Sequence, residues 1–203
     1  MNTPAHVLVN LAVLDRWAPP MVRRWIAAGA VLPDLPMFFF YAWQRVLGRP
    51  DREIWGSLYF EAGWQHFFDA FNSVPIFLAL AIGAYTTKRW GVWWLSLSVL
   101  LHCLGDAFLH REDGHRHLWP LSDARFMSPV SYWDPAHHGV WGNGFETFAL
   151  LASVWLLWPR FGVRGRALLG LFASVSIAIW LGFYVLGVFG PEVGACPDGQ
   201  PTC

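Results

Sequence analysis

Charged residues are scarce in this chain of 203 residues, at 14% of the total. Soluble domains carry about 25% charged residues, so the shortage argues against an ordinary soluble globular domain. Hydrophobic residues make up 55% of the chain, and the mean hydropathy is +0.36. These values are typical of a polytopic membrane protein, in which each crossing needs roughly 20 apolar residues.

Other absences narrow the class further. The formal net charge is zero, which offers no basis for binding nucleic acid. The N-terminus has no basic region and no small-residue cleavage site, so we expect a mature helix rather than a signal peptide. The three cysteines form no thiolate cluster of the kind found in structural zinc sites. We expect Cys103 to pack in a helix, whereas Cys196 and Cys203 can pair in an oxidising compartment.

Apolar runs and proline breaks predict an all-α fold, a polytopic integral-membrane helical bundle of about five to six helices, some of them short or broken. We expect a single membrane domain over 1–203. Its predicted parts are a helical hairpin and broken helix (1–47), a surface segment (48–70), two helices (71–110), an extramembrane loop (111–142), two helices (143–189) and a tail (190–203). Fourteen tryptophans are suited to the bilayer interfaces.

Most of the chain's histidines lie in one stretch, 102–139, so the residues suited to metal binding or catalysis are concentrated there. His102, Asp106 and His110 recur every four residues, and each step rotates a helical side chain by only about 40°. The three therefore share one stripe of a helix that lies within an apolar run. Ionisable groups at such a position indicate a functional site. We favour a metal site over histidines that merely pack in the core.

The first hairpin brings a second pair of ligand-type residues together. From His6 to Asp15 and from Arg24 to Asp34 the helical rise is about 15 Å in each direction, so His6 and Asp34 are expected at similar heights. The alternatives are an interfacial histidine and a turn-forming aspartate between prolines.

Further along, His66 and Asp69 share a helix face, with a solvated interfacial pair as the alternative. In the loop, Asp134, His137 and His138 are expected to form hydrogen bonds within the loop rather than to act as ligands.

Basic residues cluster in three short connections, at 16–24, 88–89 and 160–166. All three can lie in the cytoplasm if the N-terminus starts outside and the helices alternate. This orientation places the histidines, the aspartates and the loop 111–142 together on the non-cytoplasmic face. Polar groups that gather at one face favour a surface-facing enzyme over a transporter, which would spread them through the bilayer.

Several of these motifs resemble the bacterial membrane-bound metal-dependent hydrolases of the inner membrane. The matching features are the early His6, the small-residue run 29–34 that ends in Pro-Asp, and the His-x-x-x-Asp of His102 and Asp106. The resemblance covers roughly residues 4–110. It implies an integral protein of the bacterial inner membrane that binds a divalent metal.

The chain departs from that family at one motif. A Thr-His-Ser near the middle of the family is replaced here by Asn72 and Ser73, which leaves His66 and Asp69 as substitute ligands. The stretch 102–115 is also similar, more weakly, to the His-x-x-Gly-Asp…His signature of zinc-dependent phospholipases C.

We therefore expect a hydrolase that cleaves a phosphoester or acyl bond, with a lipid among the candidate substrates, by a metal-activated water. Histidine and carboxylate ligands favour zinc, with manganese or iron as alternatives. The expected roles are metal binding by His6, Asp34, His102 and Asp106, catalysis or additional ligation by His66, Asp69 and His110, and substrate binding by His115, Arg116 and His117. The expected partners are membrane lipids and a small-molecule or lipid substrate. The alternatives are an ion- or proton-handling transporter and a non-catalytic scaffold with a structural metal site.

Overall fold

The computed structural model describes residues 1–186, and every regular element in that range is helical, which confirms the predicted all-α bundle. The α-helices are α1 (Thr3–Leu14), α2 (Arg23–Val31), α3 (Leu35–Val46), α4 (Asp51–Gly56), α5 (Ala62–Phe71), α6 (Val74–Thr86), α7 (Trp90–Leu109), α8 (Gly139–Leu157) and α9 (Val163–Ile179). The predicted pairing of Cys196 with Cys203 falls outside the described residues.

Within residues 1–186, four helical stretches are long and apolar enough to cross a membrane. They are Ala62–Thr86, Trp90–Leu109, Gly139–Arg160 and Val163–Gly182. Helices α2 and α3 together form a fifth candidate that is bent by 52°, whereas α1 is shorter than a span. Such lengths and compositions indicate a multi-pass membrane protein.

The bend between α2 and α3 lies at the predicted proline break. The backbone N–H of Asp34 donates to the carbonyl of Val31, 3.1 Å away, instead of to the carbonyl of Ala30 four residues back. Pro36 stands in the first turn of α3, where a missing N–H costs nothing. The break therefore leaves the Ala30 carbonyl without its usual helical donor.

The region expected as a surface segment, 48–70, is more ordered than the sequence indicated. It contains α4 and α5, and Ile54 and Phe68 are fully buried against Phe40 of α3. Helix α5 also runs into α6 with a break only at Asn72 and Ser73, so that the two form one apolar stretch. Packing among aromatic side chains of these short helices explains the order. The periodicity of the sequence alone does not show such contacts.

The centre of the bundle consists of α1, α2 and α7, linked by buried polar contacts. The amide of Asn10 donates to the carbonyl and hydroxyl of Ser98, each at 2.8 Å, and the Ser98 hydroxyl donates to the Ile26 carbonyl at 2.7 Å. Gly29 lets α2 approach α7, because a Cβ there would collide with the Leu95 carbonyl. Small residues and polar side chains of this kind join helices in membranes. They hold α1 against α7, where the candidate ligands lie.

Two of the predicted basic connections meet at one end of the bundle. The Asp15 carboxylate accepts hydrogen bonds from Arg23 Nη2 at 2.9 Å and from Arg160 Nη1 at 3.0 Å. Its side chain is 1% exposed, whereas both arginine side chains are 34% exposed. One aspartate therefore ties the α1–α2 turn to the α8–α9 turn.

The Asp15 network should contribute measurable stability. We expect Asp15→Ala to lower the free energy of unfolding in detergent by about 2 kcal/mol, less than for a fully buried pair because both arginines are partly hydrated. The control is Asp51→Ala, since Asp51 is exposed beside Arg45, and its loss should cost less than about 1 kcal/mol. Equal losses of stability in the two variants, followed by thermal unfolding, would contradict this role for Asp15.

The same network predicts a dependence of stability on pH. Burial alone would raise the pKa of Asp15, but hydrogen bonds from Arg23 and Arg160 outweigh it and hold that pKa below its usual value. The stabilisation is therefore present above the unfolded pKa of about 4 and is lost as pH falls through the folded value. The difference in melting temperature between wild type and Asp15→Ala should shrink between pH 7 and pH 3. A difference in melting temperature that stays constant between pH 7 and pH 3 would argue against a stabilising role for the ionised Asp15 carboxylate.

Candidate metal centre

Two helices bring three ligand-type side chains together at the end of the bundle opposite Asp15. His6 comes from α1, and His102 and Asp106 come from successive turns of α7. All three are buried, and one ligand atom from each lies within 4.8 Å of the others. His6 Nε2 is 2.8 Å from Asp106 Oδ1, and His102 Nε2 is 3.0 Å from Asp106 Oδ2. This group can hold a metal ion.

A glycine allows the close packing of His6 against α7. A Cβ on Gly105 would lie 3.3 Å from His6 Cε1, tighter than ordinary contact. The rings of His6 and His102 stack with their centroids 3.6 Å apart. The side chain missing at position 105 therefore leaves the space that the His6 ring occupies.

The orientation of His102 suits a cation ligand. Its Nδ1 lies 2.8 Å from the Ala30 carbonyl, which can only accept, so Nδ1 carries the proton. Nε2 is buried and forms no hydrogen bond, although Asp106 Oδ2 is 3.0 Å away. In the neutral ring the Nε2 lone pair is therefore left without a partner beside two carboxylates, the second being Asp34 with its Oδ1 3.5 Å away. A metal ion or a proton on Nε2 would supply that partner, and a backbone acceptor on the far nitrogen is typical of metal-bound histidine.

Asp34 lies beside this group. Its Oδ1 is 3.5 Å from His102 Nε2, and its Oδ2 accepts a hydrogen bond from the Thr3 hydroxyl at 2.5 Å. Asp34 lies near His6, as the hairpin predicts, because its partner Thr3 is one turn from His6 on α1. Asp34 is not one of the three residues whose ligand atoms converge.

Asp106 also contacts the amino group of Met1 and a third histidine. The amino group of Met1 donates to its Oδ1 at 2.8 Å, and His110 Nε2 is 3.2 Å from the same oxygen. His110 Nδ1 is 2.9 Å from Asp113 Oδ2. Burial would lower the pKa of His110, but Asp106 and Asp113 raise it to about 9, and the pKa of Asp113 falls to about 2 despite its burial.

Sequence reasoning missed two acidic residues near the centre. Asp113 was detectable from its spacing, since it follows His110 by three residues just past the end of α7. Glu146 is a buried acid within the apolar helix α8, and it accepts hydrogen bonds from the backbone N–H and side-chain amide of Asn2. Asn2 caps α1 by accepting from the Ala5 N–H at 3.0 Å. Glu146 therefore holds the start of the helix that carries His6.

Asp106, but neither His6 nor His102, lines a pocket of about 590 Å³. The polar residues at its wall include Asp34, Asp106, His110, Asp113 and His115. The apolar residues come from α1, α3 and α9 and from the loop after α7. Ligand pockets are commonly of this size, with few polar groups among many apolar ones.

Asp69 and Arg116 bind each other. Buried Asp69 accepts from the Arg116 backbone N–H at 3.0 Å and from Arg116 Nε at 2.6 Å, while His115 Nδ1 is 3.7 Å away. Neither Asp69 nor Arg116 lines the 590 Å³ pocket. Together they anchor the loop after α7 to α5.

Two further predicted residues also lie outside that pocket. His66 is exposed, with its ring 6.3 Å from that of Trp119. His117 Nδ1 is 3.1 Å from the Asn72 carbonyl, and its own carbonyl accepts from the Val74 N–H at 2.8 Å. His117 therefore joins the loop to the start of α6.

The remaining polar residues of the loop interact within it. Asp134 accepts from the Ala136 N–H at 2.9 Å, and its other oxygen is 2.5 Å from His137 Nδ1. His138 has a positive φ of 61° and precedes α8, which begins at Gly139. These contacts match the expectation that Asp134 and His137 bond within the loop.

The Asp69–Arg116 contact should control the order of the loop. We expect Asp69→Ala to remove the buried partner of Arg116, leaving it only the exposed Asp123, and to speed tryptic cleavage within residues 111–138 at least tenfold, equivalent to about 1.4 kcal/mol. The matched control is Asp123→Ala, because Asp123 binds the same arginine at 2.9 Å but is 85% exposed. Similar cleavage rates in both variants would contradict the anchor.

Known proteins offer no further assignment for this arrangement. No protein-family model matches the chain, and no curated protein or solved structure matches it either. The motif resemblance to metal-dependent hydrolases therefore stays a prediction.

Proposed function

We propose that the protein is a membrane-embedded, metal-dependent hydrolase whose metal is held by His6, His102 and Asp106. The observation that carries this proposal is the buried His102 Nε2, which lies 3.0 Å from the Asp106 carboxylate without a hydrogen bond. A divalent cation bound by both residues would satisfy Nε2 and the carboxylate together. Of the three residues, Asp106 also lines a pocket, and a catalytic site needs such an opening whereas a sealed structural site does not.

The donor set fits a catalytic metal. Two histidine nitrogens with one carboxylate match the ligands of known catalytic zinc sites, and manganese or iron also accept such ligands. When bound, the cation would supply Lewis acidity and lower the pKa of a water molecule to about 7. The scissile bond proposed is a phosphoester or an acyl ester.

His110 is proposed as the residue that transfers a proton. His110 lines the pocket, with its Nε2 3.2 Å from Asp106 Oδ1. Its Nδ1 is oriented by Asp113, which also accepts from the Trp133 indole at 2.9 Å. A histidine held by a carboxylate in this way can exchange a proton with the water or the leaving group.

Asp34, whose carboxylate is held by Thr3, is proposed as a fourth ligand.

The predicted location is a proposal too. If the basic connections lie in the cytoplasm, the pocket faces the opposite side of a bacterial inner membrane. Asp15 supports part of this arrangement, since it brings two of those connections to the same end.

A proton on His102 Nε2 would also satisfy this atom beside the carboxylates, and buried protonatable groups of this kind are expected in a transporter that handles protons. Metal content separates the two proposals. A proton-handling site needs no metal, whereas the hydrolase requires about one equivalent for each chain.

Metal analysis tests the proposal directly. Purified wild type should carry about one equivalent of a transition metal by elemental analysis, and His102→Ala should lose it because the variant removes one of the two proposed histidine ligands. The control is His66→Ala, an exposed histidine outside the pocket. Hydrolysis of p-nitrophenyl phosphate or p-nitrophenyl acetate should fall at least a hundredfold in His102→Ala.

Three results would count against the hydrolase. Wild type without metal would favour the transporter, and equal metal loss in His102→Ala and His66→Ala would refute the ligand assignment. Bound metal with no hydrolysis of either ester would favour a scaffold with a structural metal site.

A further inference from the structure

We propose that the pocket at the metal centre binds a single membrane lipid, with its head group at Asp34, Asp106 and His110 and its hydrocarbon tail between α3 and α9. This inference rests on the proposed function only in that the bond to be cleaved would lie at the head-group end. It adds the substrate class and the residues that recognise the tail.

The wall of the pocket has two kinds of surface. His110 is 3.2 Å from Asp106 and 2.9 Å from Asp113, so these polar groups lie together. The wall also includes the apolar side chains of Val7 of α1, Met37 and Phe38 of α3, and Phe172 of α9. A ligand that covers both surfaces must itself be amphiphilic.

The apolar wall lies between helices that pack on different neighbours. Helix α3 packs against α5, and α9 packs mainly against α8. Both α3 and α9 contribute to the pocket, together with α1. The space between them is therefore bounded by three helices and is not filled by a helix of its own.

This space continues into the surface that the bilayer would contact. Phe38 lines the pocket and is 48% exposed, and the outer face of α9 carries Leu168, Leu171 and Val175, all about half exposed. Helix α9 is a candidate span with almost no burial within the protein, and α3 belongs to the bent candidate. An acyl chain could thus reach Phe172 from the side without leaving hydrocarbon.

A membrane lipid fits these features better than a water-soluble substrate. A soluble molecule would leave the wall of Val7, Met37, Phe38 and Phe172 in contact with water, which is unfavourable for apolar surface. A lipid keeps that wall covered while its ester, at the junction of head and tail, lies near the candidate ligands. Head groups with a phosphate ester or an acyl ester meet this requirement equally.

Photocrosslinking on the full chain tests the tail site. The photoreactive residue p-benzoylphenylalanine replaces Phe172 in one variant and Leu171, its exposed neighbour outside the pocket, in the control. Each purified variant is illuminated in detergent with oleoyl lysophosphatidic acid or with monooleoylglycerol, and adducts are counted by intact mass. We expect at least fivefold more adduct at position 172, saturating at one lipid per chain.

A second variant tests whether the pocket itself is the site. Val7→Trp places a larger side chain in the wall and should reduce the adduct at position 172 at least fivefold, without changing the smaller adduct at position 171. Preference for one of the two lipids would identify the head group. Equal adducts at positions 171 and 172, or an adduct at 172 that Val7→Trp does not reduce, would overturn the lipid site.

The crosslinking experiment can fail while the metal experiment succeeds, and the reverse, so the two distinguish the lipid site from the hydrolase. A saturable adduct at position 172 in a protein without metal would retain the lipid site and reject the hydrolase. Bound metal and ester hydrolysis without a preferred adduct at position 172 would retain the hydrolase and reject the lipid as its substrate.

Discussion

The structure depends on one buried carboxylate. Asp106 lies in the apolar helix α7, where an unpaired charge would be strongly unfavourable, and its partners come both from α7 itself and from the N-terminal segment. His6 reaches it from α1, and His110 reaches it from the end of α7. The bundle must therefore hold α1 against α7, which the contacts of Asn10, Ser98 and Gly29 achieve.

Local patterns in the sequence predicted much of this arrangement. The four-residue spacing of His102, Asp106 and His110 is set by helix geometry, so their shared face could be known in advance. The proximity of His6 and Asp34 followed from two helices of equal rise joined by a short turn. The all-helical fold could be predicted from the apolar runs, because segments of this length with so few charges are compatible with few structures other than membrane-spanning helices.

Contacts between distant segments could not be predicted in this way. Asp69 and His66 looked alike as candidates three residues apart, yet Asp69 is buried against Arg116 and His66 is exposed. The partner of Asp69 lies 47 residues away in a loop with no periodic pattern. Asp15 is a similar case, since Arg160 reaches it from a turn that lies 145 residues later in the chain.

The bend between α2 and α3 has a consequence for the chemistry of His102. In a continuous helix the Asp34 N–H would occupy the Ala30 carbonyl, but here it bonds to Val31, and the carbonyl is left for the His102 ring. The break thus selects the tautomer of a histidine on another helix. A backbone irregularity and a side-chain protonation state are coupled, so a change that straightened this helix would alter the centre without touching any of its ligands.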